Sequence, residues 1–284
     1  MEPPAPDARR GDAELFRYFY ERETKADRAR RRRNVLITTA GRLLVVASFI
    51  AAWWLASTFY PPLLVPGPRA TWDALVTERA TLWQHTPTTI VEIVLGFLVG
   101  SVLGIGLGAL IVLSRSAEVV IRPYLVISQA VPKIALAPIL IIFLGYGLAP
   151  KVAIAALIAF FPLLENTITG LQRVDPDSLR LLQSLGASRW QIFVKLRVFS
   201  ALPLVFAGLR IAAILATLGA IVAEFVAGNK GLGALLVVSL GTFTTPLMYA
   251  TMVVLTLLAL GVYVLAQWVE RKALEKYNLA VSAE

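Results

Sequence analysis

The sequence predicts an all-α membrane protein with six transmembrane helices, and three observations carry that prediction. Apolar runs of about 20 residues or more recur along the chain, the length a helix needs to cross roughly 30 Å of hydrocarbon. Only 16% of the 284 residues are charged and 57% are hydrophobic, whereas a soluble domain carries about a quarter charged residues. Lysine and arginine gather in alternate connecting segments, as the positive-inside rule requires of a polytopic chain.

The elements follow in order. Residues 1–34 form a basic tail: eleven of the 27 lysines and arginines lie within residues 1–42, densest at Arg28-Ala29-Arg30-Arg31-Arg32-Arg33. Directly before an apolar span, such a block reads as a positive-inside signal touching anionic lipid rather than as a nucleic-acid arm. The tail is too long and too mixed in charge for a signal peptide, and no small-residue cleavage site follows the apolar run, so the first span reads as a retained anchor. Residues 13–20 suit a short interfacial helix, and residues 1–12 suit disorder. Span one covers 35–59 and stops at Pro61-Pro62. Residues 68–85, with Trp72, Leu75, Val76 and Leu82 among polar residues, read as an amphipathic surface helix. His85, the one histidine, falls in an outer loop and reads as solvated.

Span two covers 88–113 and carries Gly96, Gly100, Gly104 and Gly108 at four-residue spacing, a stripe that lets another helix backbone approach closely. Span three covers 119–144 and is interrupted by Pro123, Pro132 and Pro138, which remove helix hydrogen bonds. Span four covers 151–171, a polar stretch covers 172–200, and span five covers 201–227. The glycine-rich segment 228–246 holds an apolar piece, 232–240, too short to span and suited to a re-entrant or interfacial position. Span six covers 247–268. The division is thus a basic tail (1–34), a first transmembrane helix with an external amphipathic segment (35–87), a core of five transmembrane helices with the loop 172–200 (88–270), and a charged tail (271–284). With the N-terminus inside, the inner segments hold Arg115, Arg122, Arg173, Arg180, Arg189, Lys195, Arg197, Arg271, Lys272 and Lys276 besides the N-terminal cluster. The outer ones hold Arg69, Arg79, Lys151 and Lys230. Both termini are therefore expected in the cytoplasm.

The largest inner loop bears the functional signal. Asp175 can cap a helix with Pro176 in its first turn. Leu179, Leu182 and Leu185 then share a face, and Gly186 breaks the helix. A second helix starts after Ala187, with Trp190, Phe193 and Val194 on one face. Two short helices with a glycine corner at the membrane surface suit insertion into a partner's groove, and a bare amphipathic surface helix is the plainer alternative. The segment Leu185-Gly186-Ala187-Ser188-Arg189-Trp190-Gln191-Ile192-Phe193 resembles the cytoplasmic signature loop of binding-protein-dependent ABC importer permeases. The resemblance extends over about residues 88–270 through Phe160-Phe161-Pro162, Asn166-Thr167, Gly170, Val174-Asp175-Pro176, Leu202-Pro203, Gly208-Leu209-Arg210 and Gly231-Leu232-Gly233. Arg180-Leu181-Leu182 stands where the family usually has Glu-Ala-Ala, and Val198-Phe199 where it usually has Leu-Pro.

That resemblance implies a type I importer permease in the bacterial inner membrane, whose loop is a coupling helix seated in a cleft of an ABC ATPase subunit. The coupling residues it implies are Asp175, Leu182, Leu185, Gly186, Ala187, Ser188, Arg189, Trp190 and Phe193. It also implies a soluble or lipid-anchored binding protein and a second, identical permease copy. The run from Ser128 to Pro138 is most similar to the branch for thiamine-precursor pyrimidines and riboflavin; permeases for nitrate, sulfonates and taurine form the wider subgroup.

Polar residues within spans usually face a bundle interior or a water path. The candidates for a substrate path are Gln129, Lys133, Tyr146, Glu165, Asn166 and Glu224. Glu92 reads as reaching interfacial water. Lys133 fits a structural ion pair with Glu92 or Glu224 as well as it fits the path, and Glu165 and Asn166 fit packing hydrogen bonds better than substrate contact. No Gly-x-x-x-x-Gly-Lys-[Ser/Thr] phosphate cradle is present, and no catalytic or metal-ligating constellation. There are no cysteines. ATP and magnesium are accordingly expected on a separate subunit, with no cofactor on this chain and no nucleic-acid partner. A proton-driven carrier using Glu92, Glu165 or Glu224, and a membrane-embedded enzyme, are the rival readings.

Overall fold

The computed structural model describes residues 37–41 and 43–276; the expected interfacial helix at 13–20 and the basic block at 28–33 lie outside them. The chain divides into two units after Pro68. In the first, α1 (Ile37–Phe59) is the anchor helix, and the Trp53 indole donates to the Pro66 carbonyl at 3.1 Å, folding the proline-rich segment back on the helix end.

The second unit is helical throughout its described residues. It comprises α2 (Pro68–Thr77), α3 (Arg79–Leu113), α4 (Arg115–Ala130), a 3-10 turn (Lys133–Leu136), α5 (Ala137–Leu144), α6 (Leu148–Gln172), α7 (Pro176–Ser184) and α8 (Arg189–Ile192). A π turn (Phe193–Arg197) then leads into α9 (Val198–Ala227), followed by α10 (Leu232–Gly241) and α11 (Thr245–Lys276). Among the described residues five helices are long and apolar enough to cross a membrane: α1, α3, α6, the continuous helix Arg189–Ala227, and α11.

Three expectations are corrected here. Span three is split at Pro132, as its prolines predict, but Pro123 does not interrupt it and lies within α4. Pro132 lacks an N–H and forces Val131 out of the helical region, so Val131 is extended (φ −73°, ψ 125°). The helical ladder resumes only at Ala137, with Pro138 in the first turn of α5, where proline is tolerated. The helix that holds span two starts at Arg79, because Pro87 is absorbed within α3, so the amphipathic stretch 68–85 is divided between α2 and the start of α3. Span five does not start at 201: the second helix of the inner loop runs straight into it from Arg189.

α6 is the centre of the fold, held between α3 and α9. The glycine stripe of α3 lies against it. A Cβ built on Gly96 would lie 2.4 Å from the Ala155 Cβ, one on Gly100 2.7 Å from the Ala156 carbonyl oxygen, and one on Gly108 2.8 Å from Thr167. On the other side, a Cβ on Gly219 would lie 2.7 Å from the Ala155 Cα, and one on Gly208 2.8 Å from Asn166. Around these contacts Ala159 and Leu163 of α6 pack on Ala212 and Ala216 of α9. The large apolar side chains point outward instead, among them Leu98 and Val102 on α3 and Leu257 and Leu260 on α11. Small residues inside and large ones outside is the packing expected where lipid, not water, surrounds the bundle.

The stripe yields a contrast between two identical changes on one helix. Gly100→Ala should cost about 1–3 kcal/mol through overpacking, lowering the midpoint of thermal unfolding in detergent. Gly106, whose Cβ would meet nothing within 4 Å, should accept alanine with no loss.

Candidate functional site

The loop after α6 forms a corner that is capped from both sides. Asp175 opens α7: its carboxylate accepts from the Ser178 N–H at 2.9 Å and from the Ser178 hydroxyl at 2.5 Å. These bonds, the hydroxyl's first, hold the Asp175 carboxyl below the usual aspartate range. A group so depressed supports its cap at neutral pH and releases it only as pH falls through the lowered native value. At the other end of α7 the Gly186 N–H donates to the Gln183 carbonyl and the Ala187 N–H to the Leu182 carbonyl, each at 3.0 Å. That is a Schellman closure, and Gly186 supplies the left-handed residue it requires, at φ +74°. Two residues later Ser188 and Gln191 exchange side-chain bonds with each other's backbone N–H (3.2 and 2.7 Å), a capping box that starts α8.

The corner presents apolar side chains to its surroundings. Leu185 is 72% exposed and Trp190 62%, while Leu182 and Ala187 are half-buried and Arg189 is exposed. Phe193 lies beneath rather than on this surface. It is buried with Leu171 and Ala201, and Trp190 stacks on it with ring centroids 5.7 Å apart. The π turn that follows carries Arg197, whose guanidinium donates to the Leu171 carbonyl at 3.0 Å, on the last turn of α6. The corner is thus fastened at its base to both α6 and α9.

The residues expected along a path are spread rather than assembled. Tyr146 is 85% exposed and Glu165 is exposed. The Asn166 amide donates to the Pro162 carbonyl at 2.8 Å within α6, beside Gly208. The side chain of Gln129 lies outside the described residues. Lys133 pairs with neither Glu92 nor Glu224: its ammonium sits 4.6 Å from the centre of the Phe161 ring, a cation–π contact on the helix it packs against.

At the end of the bundle away from Gly186, the structure gathers charges that sequence spacing does not connect. Lys151, counted above as an outer-loop charge, is 3% exposed and donates to Glu92 at 2.8 Å and to the Lys230 carbonyl at 3.0 Å. Glu92 is fully buried, so it does not reach interfacial water. Glu224 is 1% exposed and accepts from the Thr89 hydroxyl at 2.7 Å and from the Gly233 N–H at the start of α10. Thr89 accepts in turn from the Leu232 N–H at 2.8 Å. A Cβ on Gly231 would collide with the Glu224 carboxylate, which explains a glycine held at φ +118° there. His85 is not solvated: it is half-buried on α3, its Nδ1 3.1 Å from the Gly231 nitrogen and 2.9 Å from the Gly231 oxygen, engaging one or the other according to tautomer.

The geometry is that of a helical bundle with a capped, outward-facing corner at one end; among the described residues no three His, Cys, Asp or Glu side chains converge on a metal position. The chain belongs to the family described as binding-protein-dependent transport system inner membrane component, whose profile matches residues 96–275. It is 38% identical over 216 residues to the riboflavin transport system permease protein RibX of Chloroflexus aurantiacus, covering 75% of this chain and 80% of that one. It is 36% identical over 200 residues to the formylaminopyrimidine transport permease protein ThiX of Halalkalibacterium halodurans, covering 70% and 80%. Among solved structures, an inward-facing form of the MetNI methionine ABC transporter shares the fold, with a TM-score of 0.60 at 17% identity over 69% of this chain and 97% of that one. The chain is therefore a multi-pass inner-membrane component of an ABC importer, and an ATPase and a substrate-binding protein are the partners the family implies.

The buried pair gives a sharp expectation. Lys151→Met leaves the Glu92 carboxylate buried and unpaired, which should cost about 3–5 kcal/mol, read as thermal unfolding of the purified permease. Adding Glu92→Leu should return most of the loss, since an apolar pair needs no compensation.

Proposed function

We propose that this chain moves a small solute inward by alternating access, driven by a separate ATPase that grips the corner around Gly186. The observation that carries the reading is mechanical. Leu185 and Trp190 stand exposed on a corner whose every turn is capped, and the Arg197–Leu171 bond and buried Phe193 fasten that corner to the central helix. A push on the corner is delivered to α6 and α9 instead of being absorbed by a flexible linker. Asp175, Leu182, Ala187, Ser188 and Arg189 shape and flank the grip, and Phe193 anchors it from below.

Two permease copies, taken as identical, enclose the path, and each meets one ATPase subunit carrying ATP and magnesium. A binding protein delivers solute at the opposite face and supplies selectivity, so the permease itself needs only weak affinity. ATP binding favours the outward-facing state because the closed ATPase pair fits the corners of that state better; only such differential binding shifts the equilibrium. The lysine and arginine distribution supports a cytoplasmic position for the corner and both termini. Tyr146, Glu165 and Lys133 are the described candidates for contact with solute; Glu224, enclosed with Thr89 and Gly233, serves the fold of the outer end. The likeness to RibX and ThiX supports a thiamine-precursor pyrimidine or a riboflavin-like solute ahead of sulfonates, taurine or nitrate.

A Cβ at Gly186 would meet nothing within 4 Å, and aspartate is among the residues that adopt a left-handed φ such as its +74°, so Gly186→Asp places a charge on the grip at a local backbone cost of about 1–2 kcal/mol. That variant should insert normally, lose co-purification with the ATPase and lose transport; normal transport would refute the coupling role. For the solute, thermal unfolding of the cognate binding protein should rise with a pyrimidine or a flavin and stay level with nitrate, taurine and alkyl sulfonates.

A further inference from the structure

A cavity of about 550 Å³ opens beside the coupling corner, between the turn joining α3 to α4 and the helices α7 and α8. That volume lies within the range of about 300–1,000 Å³ typical of small-molecule sites. Arg115, Arg189 and Arg197 all line it, with Glu118 as the one carboxylate and Leu113 and Phe193 on its apolar wall.

The charges there do not balance. Glu118 already accepts from Arg122 at 3.0 Å and from the Gln172 amide at 3.3 Å. Elsewhere Arg180 faces Asp177 at 3.7 Å and Arg210 faces Glu270 at 3.0 Å. Among the described residues the three arginines of the cavity have no carboxylate of their own: Arg197 holds only the Leu171 carbonyl, and neither Arg115 nor Arg189 has a hydrogen-bond or ion-pair partner. Three arginines lining one space suit an anion with several acceptor oxygens, and the planar guanidinium fork matches phosphate.

We propose that this cavity is a phosphate-binding site, occupied by the headgroup of an anionic phospholipid from the leaflet on the coupling side. Its depth favours that source. Leu113 ends the apolar run of α3 and Arg115 begins α4, so apolar wall and basic rim meet where hydrocarbon gives way to headgroups. Occupancy ties the α3–α4 turn to α8 through one shared anion and stiffens the base of the corner. Its bearing on coupling rests on the function proposed above; the binding of phosphate does not.

The test uses the full-length permease. The Arg115 side chain is exposed and has no hydrogen-bond or ion-pair partner among the described residues, so Arg115→Gln should fold. Arg173, also exposed at this end but outside the cavity, gives the equal-charge control Arg173→Gln. Retention of phosphatidylglycerol over phosphatidylcholine, from mixed vesicles of the two, should weaken about tenfold in Arg115→Gln, the loss of one charge-assisted hydrogen bond to phosphate. It should change little in Arg173→Gln or Gly186→Asp; retention in Gly186→Asp keeps this test independent of coupling. If free inorganic phosphate stabilises the wild type but not Arg115→Gln while lipid does not, the site is a phosphate site filled from solution. Equal losses in Arg115→Gln and Arg173→Gln would overturn the proposal in favour of a diffuse surface field. So would a loss of ATPase binding with lipid and phosphate responses unchanged, which would mean the arginines meet an acidic protein surface.

Discussion

The structure depends on how closely α6 is approached from both sides. Between helices in a bilayer there is no hydrophobic gain to be made, because lipid tails are as apolar as leucine, so association rests on backbone proximity and interhelical bonds. α3 contributes Gly96, Gly100 and Gly108 and α9 contributes Gly208 and Gly219, each where a methyl group would be within 3 Å of α6. Those contacts fix the register of three helices against one another. The register in turn puts Lys151 opposite Glu92 and the end of α6 under Arg197.

The two ends of this stack are finished differently. At the end away from Gly186, buried charges and hydroxyls bind α3, α6, α9 and the start of α10 into one block through Glu92, Lys151, Thr89 and Glu224. Each member satisfies another, and removing one leaves a charge or a donor stranded in a dry interior. At the Gly186 end the corner itself is held by local caps and tied to the bundle through Arg197 and Leu171, and apolar side chains such as Leu185 and Trp190 are turned outward. One end is closed on itself; the other leaves these apolar side chains exposed.

Sequence reading recovered what depends on short-range chemistry. The glycine stripe of α3, Asp175 as a cap, Gly186 as the helix stop and the short apolar helix at 232–240 are all matters of spacing within one or two turns, and the structure has them. What it missed depends on contacts far apart in the chain. Lys151 and Glu92 are 59 residues apart, and His85 and Gly231 are 146 apart; a lysine after Ala149-Pro150 at the mouth of a span looks like any interfacial lysine until the partner helix is placed. The glycines at 231 and 233 were a usable signal: two glycines crowded after Glu224 mark backbone passing close to a side chain. The break in the third span was visible as prolines, but whether a helix kinks or splits is decided by its neighbours, and here the neighbours let Val131 extend.

The disposition of charge also bears on the energy source. A proton-driven carrier needs a carboxylate that water reaches from each side in turn. Glu92 and Glu224 are enclosed at 0% and 1% exposure, and Glu224 accepts on both oxygens from groups that cannot leave without unfastening α10. Cycling a proton at either would mean opening the outer block at every turnover, which leaves the exposed Glu165 of α6 for that reading. The corner around Gly186 asks for nothing of the kind: it is capped, exposed and joined to the central helix, so in the proposed mechanism a partner closing on it would move the bundle without dismantling its core. The cheapest moving part of this fold is therefore the one that faces outward, which favours an external motor over an internal ion.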